Sequence, residues 1–315
     1  MEEKKILQLD NNNFAFSLPK SWCVDNKITK NNYLYYIKHK NSLLVSSNNF
    51  LFNKESAVIE LDLISLKLFN KLIISYYLRN VSKITINGEE LEQKFEYIKT
   101  YIKKLPGLQI ISINATSIEL KNNTKLKEIY IDELISNIEG CINSMYQQLQ
   151  HIEPKKKYYQ IQELDISINE LYLLAKKYLN YATQIEINVE VVSNALIYSK
   201  IISSYEKIGD IIKRISRYYK MHIENPQEII PRINPTINHI NSYHNAIVNF
   251  KKKHNNEYEN LNSLQDTKNS ILREVEETSN LKKYNYTLEL VISQLIKDIL
   301  GEYDKIIETI IDSYK

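Results

Sequence analysis

Apolar residues recur through the second half of the chain at helical spacing. Ile201, Tyr205, Ile208, Ile212, Ile215 and Tyr219 are separated by 4, 3, 4, 3 and 4 positions, which draws one seam along a helix of about six turns. Ile131, Ile135, Ile138, Ile142, Met145 and Leu149 make another such seam, and Ile161, Leu164, Ile168, Leu171, Ala175, Tyr178 and Ala182 a third, with Pro154 between them. After Pro226, Pro231 and Pro235, three weaker amphipathic segments over 237–250, 258–275 and 284–311 repeat the order. Short connections between long helices favour antiparallel neighbours. The pattern predicts an all-α region over 125–315 built as two three-helix bundles in tandem, 125–222 and 226–315.

The first 124 residues are patterned differently. Phe14, Phe16 and Leu18 alternate with Ala15 and Ser17, the period of a half-buried strand, and Pro19 ends it. SWCVDNKI then predicts a short helix with Ser21 in the capping position, and Leu34, Tyr36 and residues 43–45 predict two further short strands. A unit of this kind over 1–52 has few large apolar side chains, so it should bury surface against another chain. Over 53–124 the spacing predicts a helix from Ile59 to Leu78 and a β-branched strand, VSKITI. A second helix, LEQKFEYIKTYIKKL, ends at Pro106 and Gly107, and the strands LQIISI and SIEL follow. This is a small α+β layer placed between the first unit and the helices.

Charge adds little at the level of the whole chain. Forty-one basic against 38 acidic residues leave +3, which indicates neither a nucleic-acid nor a membrane footprint, so any basic patch must be local. Cys23 and Cys141 lie far apart without metal-ligand spacing, as expected in a reducing cytosol. The start MEEKK has no apolar stretch behind it, and no run approaches the ~18–20 apolar residues that cross a bilayer. The expectation is a cytoplasmic protein without membrane insertion. There is no Gly-rich phosphate loop, no Ser-His-Asp ordering and no cysteine with a base partner, so nothing argues for an enzyme. His239 and His244 are five apart rather than four and read as surface or seam histidines.

One constellation stands out. Glu206 and Asp210 sit one turn apart on the side of their helix away from the seam, where like charges cost a few tenths of a kcal/mol. Gly209 lies between them in a chain with five glycines, although glycine inside a helix costs roughly 1 kcal/mol relative to alanine. Two readings follow: a carboxylate pair for a metal cation, with the glycine allowing close approach, or a solvated face with Asp210 paired to Lys213 and Arg214. The same pattern recurs 92 positions later as Asp298, Gly301 and Glu302. The recurrence predicts a duplicated helical triplet, each copy carrying its acidic spot to the outside.

The run FAFSLPKSW, followed by VDNKITKNNYLYYIKHKNSLLVS, resembles the AbrB (SpoVT-AbrB) swapped-hairpin domain. That resemblance implies a homodimer of interleaved chains that presents basic residues to DNA, here Lys4, Lys5, Lys20, Lys38 and Lys40. Asn31 and Asn32 stand where the family has Gly-Asp, and residues 1–52 contain no arginine. IISYYLRNVSKITING and LPGLQIISINATSIEL resemble the joining segment of archaeal PhoU-type phosphate-uptake regulators, and the tandem helices with acidic pairs resemble PhoU itself. The PhoU resemblance implies a metal ion (Fe, Zn or Mg) at Glu206 and Asp210 with Asp165 and Asn169, and at Asp298 and Glu302 in the second copy. It implies a regulator of phosphate uptake and signalling that acts through DNA. The alternative is an adaptor that contacts the phosphate ABC transporter ATPase or a signalling protein.

Overall fold

The computed structural model describes residues 4–10, 13–38, 43–47, 56–151, 153–185, 189–222, 226–252, 257–280 and 286–313. The chain divides into two units, one formed by residues 1–53 with 185–187, the other by residues 54–184 and 188–315.

In the first unit, β1 (Leu7–Gln8) pairs antiparallel with β2 (Phe14–Ala15), and β3 (Tyr35–Lys38) pairs antiparallel with β4 (Leu43–Ser46). Between the two pairs lies a six-residue helix, α1 (Lys20–Asp25). Pro19 occupies its N-cap and no side chain caps it, so Ser21 falls inside the helix rather than before it. Proline suits this boundary because its φ near −60° leads into the helix.

The second unit begins with a four-stranded sheet in the order β5-β6-β8-β7, formed by Ser56–Glu60, Lys83–Asn87, Ser117–Asn122 and Leu108–Ile113 respectively. β5 and β6 are parallel, joined through α2 (Leu66–Leu78), and the remaining pairs are antiparallel. The helix expected from Ile59 starts only at Leu66. Val58 and Ile59 lie instead in β5, opposite Thr85 and Ile86 of β6, and a 3-10 turn over Leu61–Leu63 follows. β-branched side chains suit either a strand or a buried helical turn locally, and the partner strand decides between them. Ser65 then caps α2, its Oγ accepting the Leu68 N–H at 3.2 Å. Phe69, Ile73 and Tyr77 of α2 and Ile98 and Ile102 of α3 (Leu91–Ile102) bury against Ile84, Ile86, Ile118 and Leu120 of the sheet.

Six helices follow: α4 (Ile131–Leu149), α5 (Pro154–Ile185), α6 (Val189–His222), α7 (Pro226–Lys252), α8 (Glu257–Asn280) and α9 (Tyr286–Ser313). The predicted seams are their buried faces, from Ile135, Ile138 and Ile142 on α4 to Tyr205, Ile208 and Ile212 on α6. α7 begins about three turns before the periodic segment that predicts it, with Pro231 and Pro235 inside the helix. Proline removes an intrahelical hydrogen bond, but Ile230 and Ile233 on this stretch are buried, and their packing holds the extra turns.

The two expected bundles do not have separate cores. Apolar residues of all six helices form one continuous buried cluster. α4 packs on its counterpart α7 and α6 on its counterpart α9, so the first helices of the two triplets meet each other, as do the third. No helix among the described residues is long and apolar enough to cross a membrane.

Candidate functional site

The glycine between the two acidic residues of α6 is a point of close approach. A Cβ on Gly209 would lie 3.0 Å from Ile168 Cδ1, so α5 rests against α6 at this level. Asp165 and Asn169 flank Ile168 one turn apart on α5, facing Asp210 and Lys213 of α6. The four residues proposed from sequence, Asp165, Asn169, Glu206 and Asp210, are thus gathered by one helix pair.

A lysine ties them together. Lys213 Nζ is 2.5 Å from Asp165 Oδ2 and 3.3 Å from Asp210 Oδ1. Asn169 Nδ2 donates to the Asp165 carbonyl at 2.9 Å and to its Oδ2 at 3.3 Å. Burial pushes the Asp165 carboxyl up, Lys213 opposes this and the Asp210 charge adds to it, for a raised value. Glu206 is likewise raised, by burial first and then by the charges of Asp210 and Asp165. Burial pulls the Lys213 ammonium down, but Asp165 and then Asp210 outweigh it and hold the lysine above its ordinary value. The crowded negative charge thus makes Asp165, Glu206 and Lys213 hold their protons more tightly. Beside them lies a cavity of about 480 Å³, lined by Asp165, Asn169 and Lys213 and, from the α+β layer, by Ile74, Tyr101 and Lys104.

The ammonium of Lys213 sits where a metal ion would balance these carboxylates, and Asn169 turns its N–H groups rather than its oxygen towards Asp165. Among the described residues no group of three or more His, Cys, Asp or Glu side chains is arranged to hold a metal ion. As they stand, the residues fit an internal ion pair better than a metal site.

The second acidic pair is placed otherwise. Asp298 is exposed and accepts from Gln294 Nε2 at 3.0 Å. Glu302 is 8% exposed, with Lys305 Nζ at 2.7 Å and Lys207 Nζ of α6 at 3.7 Å. The expectation of an outward acidic spot in each copy therefore fails for Glu302. That face of α9 packs against α6, and two lysines neutralise the carboxylate that the packing buries.

Two buried polar clusters escape the sequence reading. Lys177 of α5 is fully buried, its Nζ 2.7 Å from both Asn122 Oδ1 and Thr124 Oγ1 and 4.0 Å from the centre of the Tyr77 ring. Thr124 packs so closely on Gly107, which has φ +81°, that a Cβ there would run into its Oγ1. Leu173 of α5 also joins the core of the sheet layer, and Asn180 Nδ2 reaches the Leu78 carbonyl at 3.4 Å. Lys177 thus docks the layer onto the helices. Periodicity gave no sign of it, because a long amphipathic side chain beside a seam ordinarily reaches water.

The other cluster centres on Glu139 of α4, which accepts from Tyr205 Oη at 2.9 Å and from Lys251 Nζ of α7. His244 of α7 bonds the Glu139 carbonyl at 3.1 Å and packs among Tyr146, Tyr205 and Tyr303. Burial pushes its imidazole down to about 4. His244 continues the register of Ile237 and Ile240, and Glu139 falls between Ile135 and Ile142 on the α4 seam, so the burial of both was legible while their pairing was not. His239 is exposed and paired with Glu274 at 2.5 Å.

In the first unit, Lys4, Lys5, Lys20 and Lys38 are all exposed, and Lys40 lies outside the described residues. No family model, curated protein or solved structure matches the chain.

Proposed function

We propose that the protein is a homodimeric regulator of the PhoU type, its first unit joining two chains and holding them on DNA while the second relays phosphate status. The observation that supports pairing most is the state of the apolar side chains in the first unit. No hydrophobic residue is buried among its described residues, while Ile6, Phe14, Val24, Tyr33 and Tyr36 are 65%, 67%, 66%, 86% and 66% exposed. Two-stranded pairs of this length have little stability alone. A second copy, interleaved as in an AbrB-like head, would supply the missing core.

Four exposed lysines support contact with phosphate backbones, and the lack of arginine in 1–52 weighs against base-specific reading. The continuous helical core makes the body one mechanical unit, so a signal received on it would reach the head by favouring one arrangement of the paired chains over another. The acidic cluster enters this reading as a group of carboxylates clamped by Lys213.

Light scattering and electrophoretic mobility of the full chain test the proposal. The expected results are a dimer mass and a shift of random duplex that fades as salt rises from about 50 to about 200 mM. A monomer at micromolar concentration overturns the pairing. A dimer that leaves duplex unshifted at low salt selects the adaptor reading, favoured by the missing arginines, with the phosphate ABC transporter ATPase or a signalling protein as partner.

A further inference from the structure

The cavity of about 480 Å³ beside the Lys213 cluster lies between the α+β layer and the helices, and its size falls within the roughly 300–1,000 Å³ of small-molecule sites. On the α5 side, Gln162, Asp165, Asn169 and Tyr172 are spaced 3, 4 and 3 positions apart, so they stand in one row about 15 Å long. The layer supplies Tyr101, Lys104, Ile74 and Leu105, and Ile166 and Leu173 of α5 extend the apolar surface.

Three polar side chains of this lining still offer hydrogen bonds. Lys104 Nζ stands 5.8 Å from the centre of the Tyr101 ring, and no carboxylate pairs with it among the described residues. Gln162 makes no side-chain hydrogen bond among them, and Asn169 gives its Nδ2 to Asp165 while its Oδ1 has no donor there. Lys213, by contrast, is held by Asp165 and Asp210. The lining carries two ammoniums against one carboxylate, an excess of one positive charge, and Lys104 is the cation left to meet an anion.

We propose that this cavity binds a nucleoside monophosphate, its phosphate on Lys104 and its base on the apolar wall with a polar edge towards Gln162 and Asn169. A carboxamide donates and accepts at once, which suits the mixed edge of a nucleobase, and the two aromatic side chains of the lining, Tyr101 and Tyr172, suit a flat ring. Other ligand classes fit less well. Inorganic phosphate would leave the apolar wall and most of the α5 row uncovered. A fatty acid would bury the two carboxamides against hydrocarbon without partners, and a metal ion would meet the Lys213 ammonium. The site takes residues from both the layer and the helices, so its occupant bridges them, and it does not depend on the regulatory reading.

Calorimetric titration of the full chain with AMP, GMP, CMP and UMP, with the four matching nucleosides and with inorganic phosphate, all at constant ionic strength, tests the proposal. At least one monophosphate is expected to bind with a Kd below about 1 mM, and about tenfold more tightly than its nucleoside or phosphate alone, the scale of one charge-assisted contact. Lys104→Gln should bring that monophosphate down to the affinity of its nucleoside. Lys104 is exposed and has no ion pair among the described residues, so this variant is expected to keep the fold. Ile166→Trp fills the cavity from α5 and, with a native circular dichroism spectrum, should lose the monophosphate and the nucleoside together. Binding of no monophosphate, phosphate binding as tightly as the best of them, or unchanged affinity in either folded variant overturns the site.

Discussion

Replacing Lys213 with methionine should destabilise the protein by about 3 kcal/mol near pH 8, the scale of removing one partner of a buried ion pair. Asp165 is the reason: it is 4% exposed, and its Oδ2 would lose an ammonium at 2.5 Å while Asp210 and Glu206 remain beside it. The deficit should shrink as pH falls. Without the lysine, the folded-state values of Asp165 and Glu206, already raised, rise further above their unfolded values. A carboxyl of that kind contributes stability that is fully present below the unfolded value and lost as pH rises through the folded one. Urea unfolding at pH 4.5 and pH 8 should therefore show a gap between variant and wild type that opens with pH. Asp165→Asn in the same background should recover most of the loss at pH 8. A double variant as unstable as the single one would mean that the charge of Asp165 is not what Lys213 offsets.

The same variant asks whether the cluster can hold a metal. With the ammonium gone, millimolar Mn²⁺ or Mg²⁺ should raise the melting temperature of Lys213→Met and leave the wild type unchanged, because one cation takes the place of another. A response of the wild type alone would show that the lysine is not the cluster's counter-ion. In the wild type, the raised ammonium of Lys213 contributes stability that is present below its ordinary value of 10.5 and is lost above it.

Lys177 carries the second large expectation, with the opposite sign. Burial pushes its ammonium down to about 7, against an ordinary value of 10.5. A depressed lysine contributes stability that is complete above the unfolded value and is lost as pH falls to the folded one, so the contribution grows between pH 7 and pH 10.5. Lys177→Met removes that growth. Wild type should gain on the variant by about 1 kcal/mol for each pH unit between pH 7 and pH 9, as read from urea unfolding. At pH 6 the two should be close, since the lost hydrogen bonds to Asn122 and Thr124 and the contact with Tyr77 are offset by relief of a buried charge. A gap that does not change with pH would show that those partners keep Lys177 charged and outweigh burial.

The helices were the most legible part of the chain. A seam such as Ile201 to Tyr219 repeats over about five turns, and each added turn strengthens the same inference. β5 was misread because five residues are too few for a period to declare itself, and Val58 and Ile59 satisfy both templates until β6 lies beside them. At the candidate site, Gly209 between two acidic residues marked where α5 comes closest to α6, and the alternative pairing of Asp210 with Lys213 was written in the same turn of helix. That Lys213 also reaches Asp165, 48 positions earlier, was not visible.

Local pattern alone was enough to establish most of the helical stretches, their apolar faces and where acidic side chains crowd, because each of these depends on residues within a few turns of one another. Folding in three dimensions decided that the two triplets share one core and that Glu302 is covered. It also decided that Lys213 closes the carboxylate cluster, that Lys177 docks the sheet layer and that one oxygen of Glu139 is buried without a donor among the described residues. These outcomes depend on which helix face meets which across dozens of residues, and a charged side chain beside a seam looks the same in sequence whether its neighbour is water or another helix.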